Sequence, residues 1–471
     1  MITKELETKA EVLALTIFKI DELKENKELL KQVKEAKKRE AFKEDFASIF
    51  QTNITNSVYK KIIVAHLGKK EEFTTEKARK IMSKIVQTVQ NQKYNSLTTN
   101  LLDIELENKE DFARAIAESI ELTNYSFDKY KKPKIKPVKV YLKADKKLNK
   151  EFLIGQKIAN ATNLTRNLVN DTNSQINPDT LEKIALKIAK DKKLKAKVIK
   201  GKELQKKGLN LIHSVGKGSE FEPRLVIIEK PGKNPINIVG KGVTYDTGGY
   251  NIKPTGAMED MKMDMGGAGV VLGLLSISEM FKERGIIFTL PLVENSISST
   301  AYKPGEIIKS YSGKTIEVLN TDAEGRLILA DAISYSEEKY KSQKTITIAT
   351  LTGAILIALG HKYTGLFSNN DEFANNLLEA SKKSHDLAWR LPLEEFENDM
   401  DGDISDLKNL SSIKSRIAGS IQAAIFLSKF TKNDWAHFDI AGTSYVQSPE
   451  YFGKKYATGR NLRLLAYYLI N

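Results

Sequence analysis

The 471-residue chain contains no cysteine. Disulfides, thiolate metal sites and cysteine nucleophiles are therefore excluded, and the composition suits a reducing cytosol. Histidine is scarce: His66, His213, His361, His385 and His437 are the five, and none falls in the three polar strand ends described below. Long apolar runs are lacking too. The longest uncharged stretch, Thr345 to Gly360, is shorter than the about 20 apolar residues that span a bilayer. It reads as a buried strand and turn. The N-terminal MITKELETKAEVLAL has no apolar core of the kind a secretory leader carries. A soluble cytoplasmic protein without membrane contact is expected.

Charge of one sign is in excess: the net charge is +14. Residues 1–150 hold 32 basic and 23 acidic residues, a balance of +9, so most of the excess is N-terminal. Its densest stretch is KYKKPKIKPVKVYLK, Lys129 to Lys143. Such a run can bind a polyanion weakly, but lysine runs are more often solvated faces.

Hydrophobic residues make up 41% and charged residues 28%, a globular balance. Apolar runs alternate with helical stretches throughout, which predicts α/β architecture in two domains. The smaller, residues 1–148, has strand candidates VYKKIIVAHLG and SLTTNLLDIEL and helix candidates EKARKIMSKIVQTVQNQ and DFARAIAESIELTNYSF. Residues 131–139, with two prolines, read as extended strand or linker. Residues 149–171 read as a connecting helix into a larger α/β domain, 149–471, with a mostly parallel central sheet. Its strand candidates are AKVIKG, RLVIIEK, INIVGKG, GIIFTLPLVE, KTIEVLN and TITIATLTG, and its helices include NPDTLEKIALKIAKD, capped by Asn177 or Asp179, AGVVLGLLSISEMFKER and LILADAISYSEEKYK.

Open α/β sheets bind ligands beyond the carboxyl ends of their strands. Three strand ends here are unusually polar. INIVGKGVTYDTGG delivers Lys241 and Asp246, followed by Lys253 and by Asp264 in MEDMKMDMGGAG. KTIEVLN runs into NTDAEGRL, with Asp322, Glu324 and Arg326. TITIATLTG delivers Thr350, Leu351 and Gly353. A single Asp after a strand is usually a turn or cap residue, as Asp331 is expected to be. Four acids on neighbouring loops would repel one another without counter-charge. Two bridged divalent cations would remove the repulsion. An all-oxygen donor set suits magnesium or manganese, and a neutral Lys241 amine would shift the choice toward zinc or manganese. A water bridged by two cations has its pKa lowered from about 15.7 toward 7, which makes it a nucleophile near neutrality. The glycines carry no nucleotide fingerprint: after GxG at Gly240 and Gly242, Tyr245 occupies the third glycine's position.

NTDAEGRL, together with GKGVTYDTGG, IKP and MKMDMGGAG upstream, resembles the signature of the leucyl aminopeptidase family, cytosolic two-metal exopeptidases. VAHLGKKEEFTTEKARK is similar to that family's N-terminal domain, and RNLVNDTNSQINPDTL, DISDLKNL, AGSIQAAIFLSKF, WAHFDIAGT and ATGRNLRLL to pieces of its catalytic domain. The resemblance implies a metal-dependent aminopeptidase acting on peptides. Lys241, Asp246, Asp264 and Glu324 would hold the tighter metal, and Asp246, Asp322 and Glu324 the more exchangeable one. Lys253 would steady the substrate carbonyl and oxyanion. Arg326 would hold a bicarbonate general base, with the Leu351 amide nearby. Met261, Thr350 and Gly353 would line the pocket for the first side chain. A homohexamer is also implied. Tyr250, Asn251, Thr255 to Met258 and SSIKSRIAG (411–419) depart from the family pattern around the pocket. Two other classes compete: a two-metal phosphodiesterase or nuclease, suggested by the acidic pair and Arg326, and a DNA-binding regulatory protein, suggested by the basic N-terminal part.

Overall fold

A computed structural model describes the chain except residues 56, 105–107, 134–135, 412–416, 449–451, 453–454 and 471. The chain divides into two compact units, Met1–Asn160 with Ser448–Lys455, and Ala161–Gln447 with Tyr456–Asn471.

The first unit is built on strands β1 (Ile2–Thr3), β2 (Val12–Ile17), β3 (Ile49–Thr52), β4 (Lys61–His66), β5 (Ser96–Thr99) and β6 (Lys139–Lys143), in the order β1-β6-β5-β2-β4-β3. All pairs are parallel except β3 on β4. Its helices include α1 (Lys27–Lys38), α2 (Thr75–Asn91) and α3 (Lys109–Asn124). Thr74 caps α2, its side chain accepting from the Lys77 amide. Side chains alternate across a strand, so each strand serves two cores. Ile17, Ile62 and Val64 pack with Leu29, Val33 and Ala36 of α1. Val12, Ala14, Ile63 and Ala65 pack with α2 and α3 instead. The two helix layers therefore cover opposite faces of β2 and β4. SLTTNLLDIEL yields a shorter strand than its pattern suggests: β5 stops at Thr99, a 3-10 turn follows at Leu101–Asp103, and its residues 105–106 lie outside the described residues. So do residues 134–135 of the basic run, ahead of β6.

Helix α4 (Asn149–Asn170) carries the chain onward. The second unit holds α5 (Pro178–Asp191), β7 (Lys195–Lys200), α6 (Lys202–Lys206), α7 (Asn210–Gly216), β8 (Arg224–Lys230), β9 (Lys233–Gly240), β10 (Gly242–Asp246), α8 (Gly266–Ser276), β11 (Arg284–Asn295), β12 (Ile307–Lys309), β13 (Thr315–Glu317), α9 (Gly325–Tyr340), β14 (Lys344–Ala349), α10 (Ala354–Leu359), β15 (Thr364–Ser368), α11 (Asp371–Ser384), β16 (Ala388–Arg390), β17 (Leu407–Lys408), α12 (Gly419–Ser428), β18 (Asp434–Asp439) and α13 (Leu462–Ile470). The main sheet runs β16-β15-β18-β14-β9-β11-β8-β7, with β10 added to β11. Its centre, β18, β14, β9, β11 and β10, is parallel throughout. Asn177 rather than Asp179 caps α5, with Pro178 at the first helical position.

Three elements of the second unit differ from their sequence patterns. KTIEVLN forms β13, which joins a small sheet with β12 and β17 instead of the main one. Only Ile316 is buried while Thr315 and Glu317 are half-exposed, the alternation of a one-sided ribbon. The run from Thr345 to Gly360 is a buried strand for its first half only; the second half is α10, whose Ile357 is 90% exposed. AGVVLGLLSISEMFKER breaks after Ser276 into a 3-10 turn at Ser278–Met280. Part of SSIKSRIAG, residues 412–416, lies outside the described residues.

Candidate active site

The parallel centre of the main sheet delivers one polar residue after another at its carboxyl edge. Asp439 ends β18, Thr350 follows β14, Lys241 follows β9, Asn295 ends β11 and Asp246 ends β10. Asp264 arrives from the 3-10 turn Met261–Met265 that leads into α8. Asp322, Glu324 and Arg326 come from the loop that opens α9, with Glu324 in the N-cap position.

These residues converge. Lys241 Nζ lies 2.8 Å from Asp264 Oδ2 and 2.9 Å from Glu324 Oε1, and donates to the Thr350 carbonyl at 2.9 Å. Lys253 Nζ lies 2.9 Å from Asp246 Oδ2 and also bonds Asp322. Oxygens of Asp246, Asp322 and Glu324 all fall within 4.8 Å of one another. Among the described residues this is the one acidic group close enough to share a metal ion.

Backbone geometry makes room for the approach. A Cβ on Gly325 would stand 2.5 Å from Lys241 Cε, so only glycine lets that side chain pass. Gly248 and Gly249 take positive φ of 83° and 63° in the turn after Asp246, which favours glycine.

Electrostatics show a shortage of positive charge. Burial alone would lower the Lys241 amine, but Asp264, Glu324 and Asp246 outweigh it and hold the ammonium above its ordinary value. Lys253 is held up in the same way against burial by Asp246, Glu324 and Asp322. The acids are raised as well: Asp264 and Glu324 by burial and by neighbouring carboxylates, Asp322 by burial and Asp246. Amines and carboxyls raised together mean that two ammonium groups do not neutralise four acids. The donor set is oxygen-rich, buried and under-neutralised, and it fits divalent cations.

Arg326 borders the cluster, 6% exposed. Its Nη1 donates to the Asn409 carbonyl at 2.8 Å, and its Nε, also buried, has no partner among the described residues. Burial lowers its pKa to about 10, with Glu324 and Asp439 opposing. The Leu351 amide donates to Asp439 Oδ1 at 3.2 Å and the Thr352 hydroxyl to Asp439 Oδ2 at 2.6 Å. Burial raises the Asp439 carboxyl to about 6.

Of the residues read from the sequence as pocket-lining, Thr350 joins the cluster directly, its hydroxyl donating to Asp264 Oδ1 at 2.7 Å. Leu351 follows it, Gly353 stands at the start of α10, and Met261, half-buried, opens the turn that carries Asp264. Asp331 is a capping residue, though for another helix: its Oδ2 accepts from the Leu211 and Ile212 amides at the start of α7.

Four supporting residues escape the sequence reading. Asn295 Nδ2 donates to Asp246 Oδ1 at 2.8 Å and to the Thr321 carbonyl at 3.0 Å. The buried Tyr302 hydroxyl donates to the same carbonyl at 2.8 Å. Asn409 holds the loop before Glu324, and Asp439 faces Leu351 and Thr352. Asn295 and Asp439 could have been found as polar ends of apolar strands; Tyr302 and Asn409 leave no such signal.

A sequence profile for the catalytic domain of the cytosol aminopeptidase family matches residues 163–466, and one for that family's N-terminal domain matches residues 9–134. The chain belongs to the cytosol aminopeptidase family. A probable cytosol aminopeptidase of Pseudomonas fluorescens (strain Pf0-1) is 38% identical over 442 residues, 90% of this chain and 88% of the relative. One of Clostridium perfringens (strain 13 / Type A) is 34% identical over 99% of this chain and 97% of its own length. Among solved structures, the bottromycin maturation enzyme BotP in complex with Mn superposes with a TM-score of 0.87 at 28% identity, covering 98% of this chain and 99% of its own. The two-domain α/β fold expected from the sequence is thus the family's fold, and the chain is a metal-dependent aminopeptidase, a hydrolase of peptides. Among the described residues no helix is long and apolar enough to cross a membrane.

Proposed function

We propose that this aminopeptidase removes the first residue of a peptide with two divalent ions, manganese or zinc, held by the cluster at the sheet edge. Lys241, Asp246, Asp264 and Glu324 would hold one ion, and Asp246, Asp322 and Glu324 the other. When bound, the ions supply a water acidified to act as nucleophile and a positive centre that polarises the scissile carbonyl. The observation that carries this reading is the convergence of the Asp246, Asp322 and Glu324 oxygens within 4.8 Å.

The chain's own groups complete the site. Lys253, now paired with Asp246 and Asp322, has a flexible ammonium that would turn to the substrate oxygen once those carboxylates are neutralised. Arg326, buried with an unpartnered Nε, would seat a bicarbonate general base beside the Leu351 amide. Met261, Thr350 and Gly353 would line the pocket for the first side chain, which supports a preference for apolar residues such as leucine. A cytoplasmic homohexamer, with at most weak, salt-sensitive binding of nucleic acid by the basic N-terminal unit, completes the proposal.

The test uses an aminoacyl-nitroanilide and single-stranded DNA side by side. Asp322→Ala and Glu324→Ala should abolish amide cleavage in a folded protein. Lys253→Ala should keep its metal and lose turnover. Cleavage of DNA without cleavage of amides, or metal loss in Lys253→Ala, would overturn the assignment.

A further inference from the structure

The first unit has a second crevice, at the carboxyl end of its own sheet. In the sheet order, β2 and β4 are adjacent and parallel. The chain leaves β2 toward α1 and leaves β4 toward α2, and these helices cover opposite faces. Adjacent strands whose connections depart to opposite faces open a gap between their carboxyl ends, the place where ligands settle in open α/β sheets.

A cavity of about 700 Å³ occupies that gap. Phe18 and Lys19, just after β2, line it together with His66 and Gly68 at the end of β4. Its volume is within the range of small-molecule sites, about 300–1,000 Å³.

The lining is charged, and its charges are unequally committed. Of its three carboxylates, Glu22 accepts from the Phe18 and Lys19 amides, and Glu44 is paired with Lys37. Glu71 alone of the three has no bond among the described residues. Of its three lysines, Lys69 is paired with Glu72, whereas Lys19 and Lys70 have no carboxylate partner among the described residues. His66 is 2% exposed. Its Nδ1 accepts from the Gly68 amide at 3.1 Å, which leaves the proton of the neutral ring on Nε2. That Nε2 is buried and makes no well-formed hydrogen bond among the described residues, with the Phe18 backbone as a polar neighbour. Phe18 and Ile104 supply an apolar wall.

Two uncommitted ammonium groups and one orphaned N–H donor, set against an apolar wall at a strand-end crevice, define a recognition chemistry. We propose that the N-terminal unit binds a small organic anion, a phosphate ester or a carboxylate, between the ends of β2 and β4, with Lys19, Lys70 and His66 as its polar contacts. The site is separate from the metal cluster, and every residue it uses lies in the first unit.

Thermal denaturation of the metal-loaded full chain tests this with two probes, adenosine 5′-monophosphate and N-acetyl-leucine. A ligand that binds only the folded state raises Tm, here by about 2 °C or more at saturating concentration. The expected result is such a rise with one probe, absent in Lys19→Ala/Lys70→Ala, while that variant keeps wild-type aminopeptidase activity. The responding probe identifies the anion as phosphate or carboxylate. No rise with either probe, or a rise that persists in the double variant, would overturn the proposal. A His66→Gln variant, compared at the same probe concentrations, should weaken the response by about tenfold in apparent affinity, the value of one hydrogen bond to a charged group.

Discussion

The Asn409 carbonyl accepts a hydrogen bond from Arg326 Nη1 at 2.8 Å, and the Asn409 side chain binds the loop that leads to Arg326. Its Oδ1 accepts from the Leu319 amide at 2.8 Å and the Asn320 amide at 3.3 Å. Its Nδ2 donates to the Asn320 carbonyl at 2.6 Å and the Ala323 carbonyl at 3.3 Å. One buried amide thus fixes the segment on both sides of Asp322. Asn409→Ala would strand these backbone groups, each costing about 1–3 kcal/mol when buried unpaired. Expected are a lower urea midpoint, weaker metal retention under chelator competition, and kcat/KM reduced at least about tenfold, near 1.4 kcal/mol of transition-state stabilisation. Unchanged metal retention would show that the loop holds itself.

Gly325→Ala tests the close approach beneath the cluster. The added carbon would meet Lys241 Cε at 2.5 Å and Nζ at 2.7 Å. The lysine would have to leave Asp264 and Glu324. The expected outcome is a folded protein with metal affinity and activity both reduced at least about tenfold, a loss near 1.4 kcal/mol. Wild-type metal content would mean that the lysine has another route to its partners.

His437 sets a pH dependence of stability. It is fully buried, stacked 6.0 Å from Trp435, with Nδ1 2.9 Å from the Thr347 hydroxyl. Burial lowers its pKa to about 3, although Thr347 opposes this. The unfolded chain has the ordinary value near 6.5 and therefore binds the extra proton first. Between about pH 6.5 and 3 this residue costs stability as pH falls, with a limiting slope of about 1.4 kcal/mol per pH unit. Urea midpoints of wild type and His437→Gln across that range should converge as pH falls below 6.5. Parallel curves would place the histidine's proton affinity elsewhere.

The sequence makes the clustered polar groups legible because they obey a rule about position. Lys241, Asp246 and Thr350 interrupt apolar strands at their carboxyl ends, where burial makes a charged or hydroxyl group conspicuous. Asp322 and Glu324 stand together at a helix start. The supports are hidden for a physical reason. The Asn409 side chain accepts from the Asn320 amide across 89 residues of sequence, and no periodicity marks such a contact. Tyr302 reads as an ordinary aromatic until its hydroxyl is found on the Thr321 carbonyl. KTIEVLN fails differently: its apolar residues suit a strand, but three paired residues with one buried side chain belong to a side ribbon.

Metal stoichiometry measured together with turnover tests the central assignment most directly. Purified protein would be assayed by elemental analysis and for aminoacyl-nitroanilide hydrolysis, before chelation, after it, and after adding back manganese or zinc. If the clasp of Asp246, Asp264, Asp322, Glu324 and Lys241 generates the nucleophile, the active protein carries a pair of ions per chain. Activity then disappears with them and returns on replacement. A preparation stripped of metal that still hydrolyses at its full rate would contradict the account.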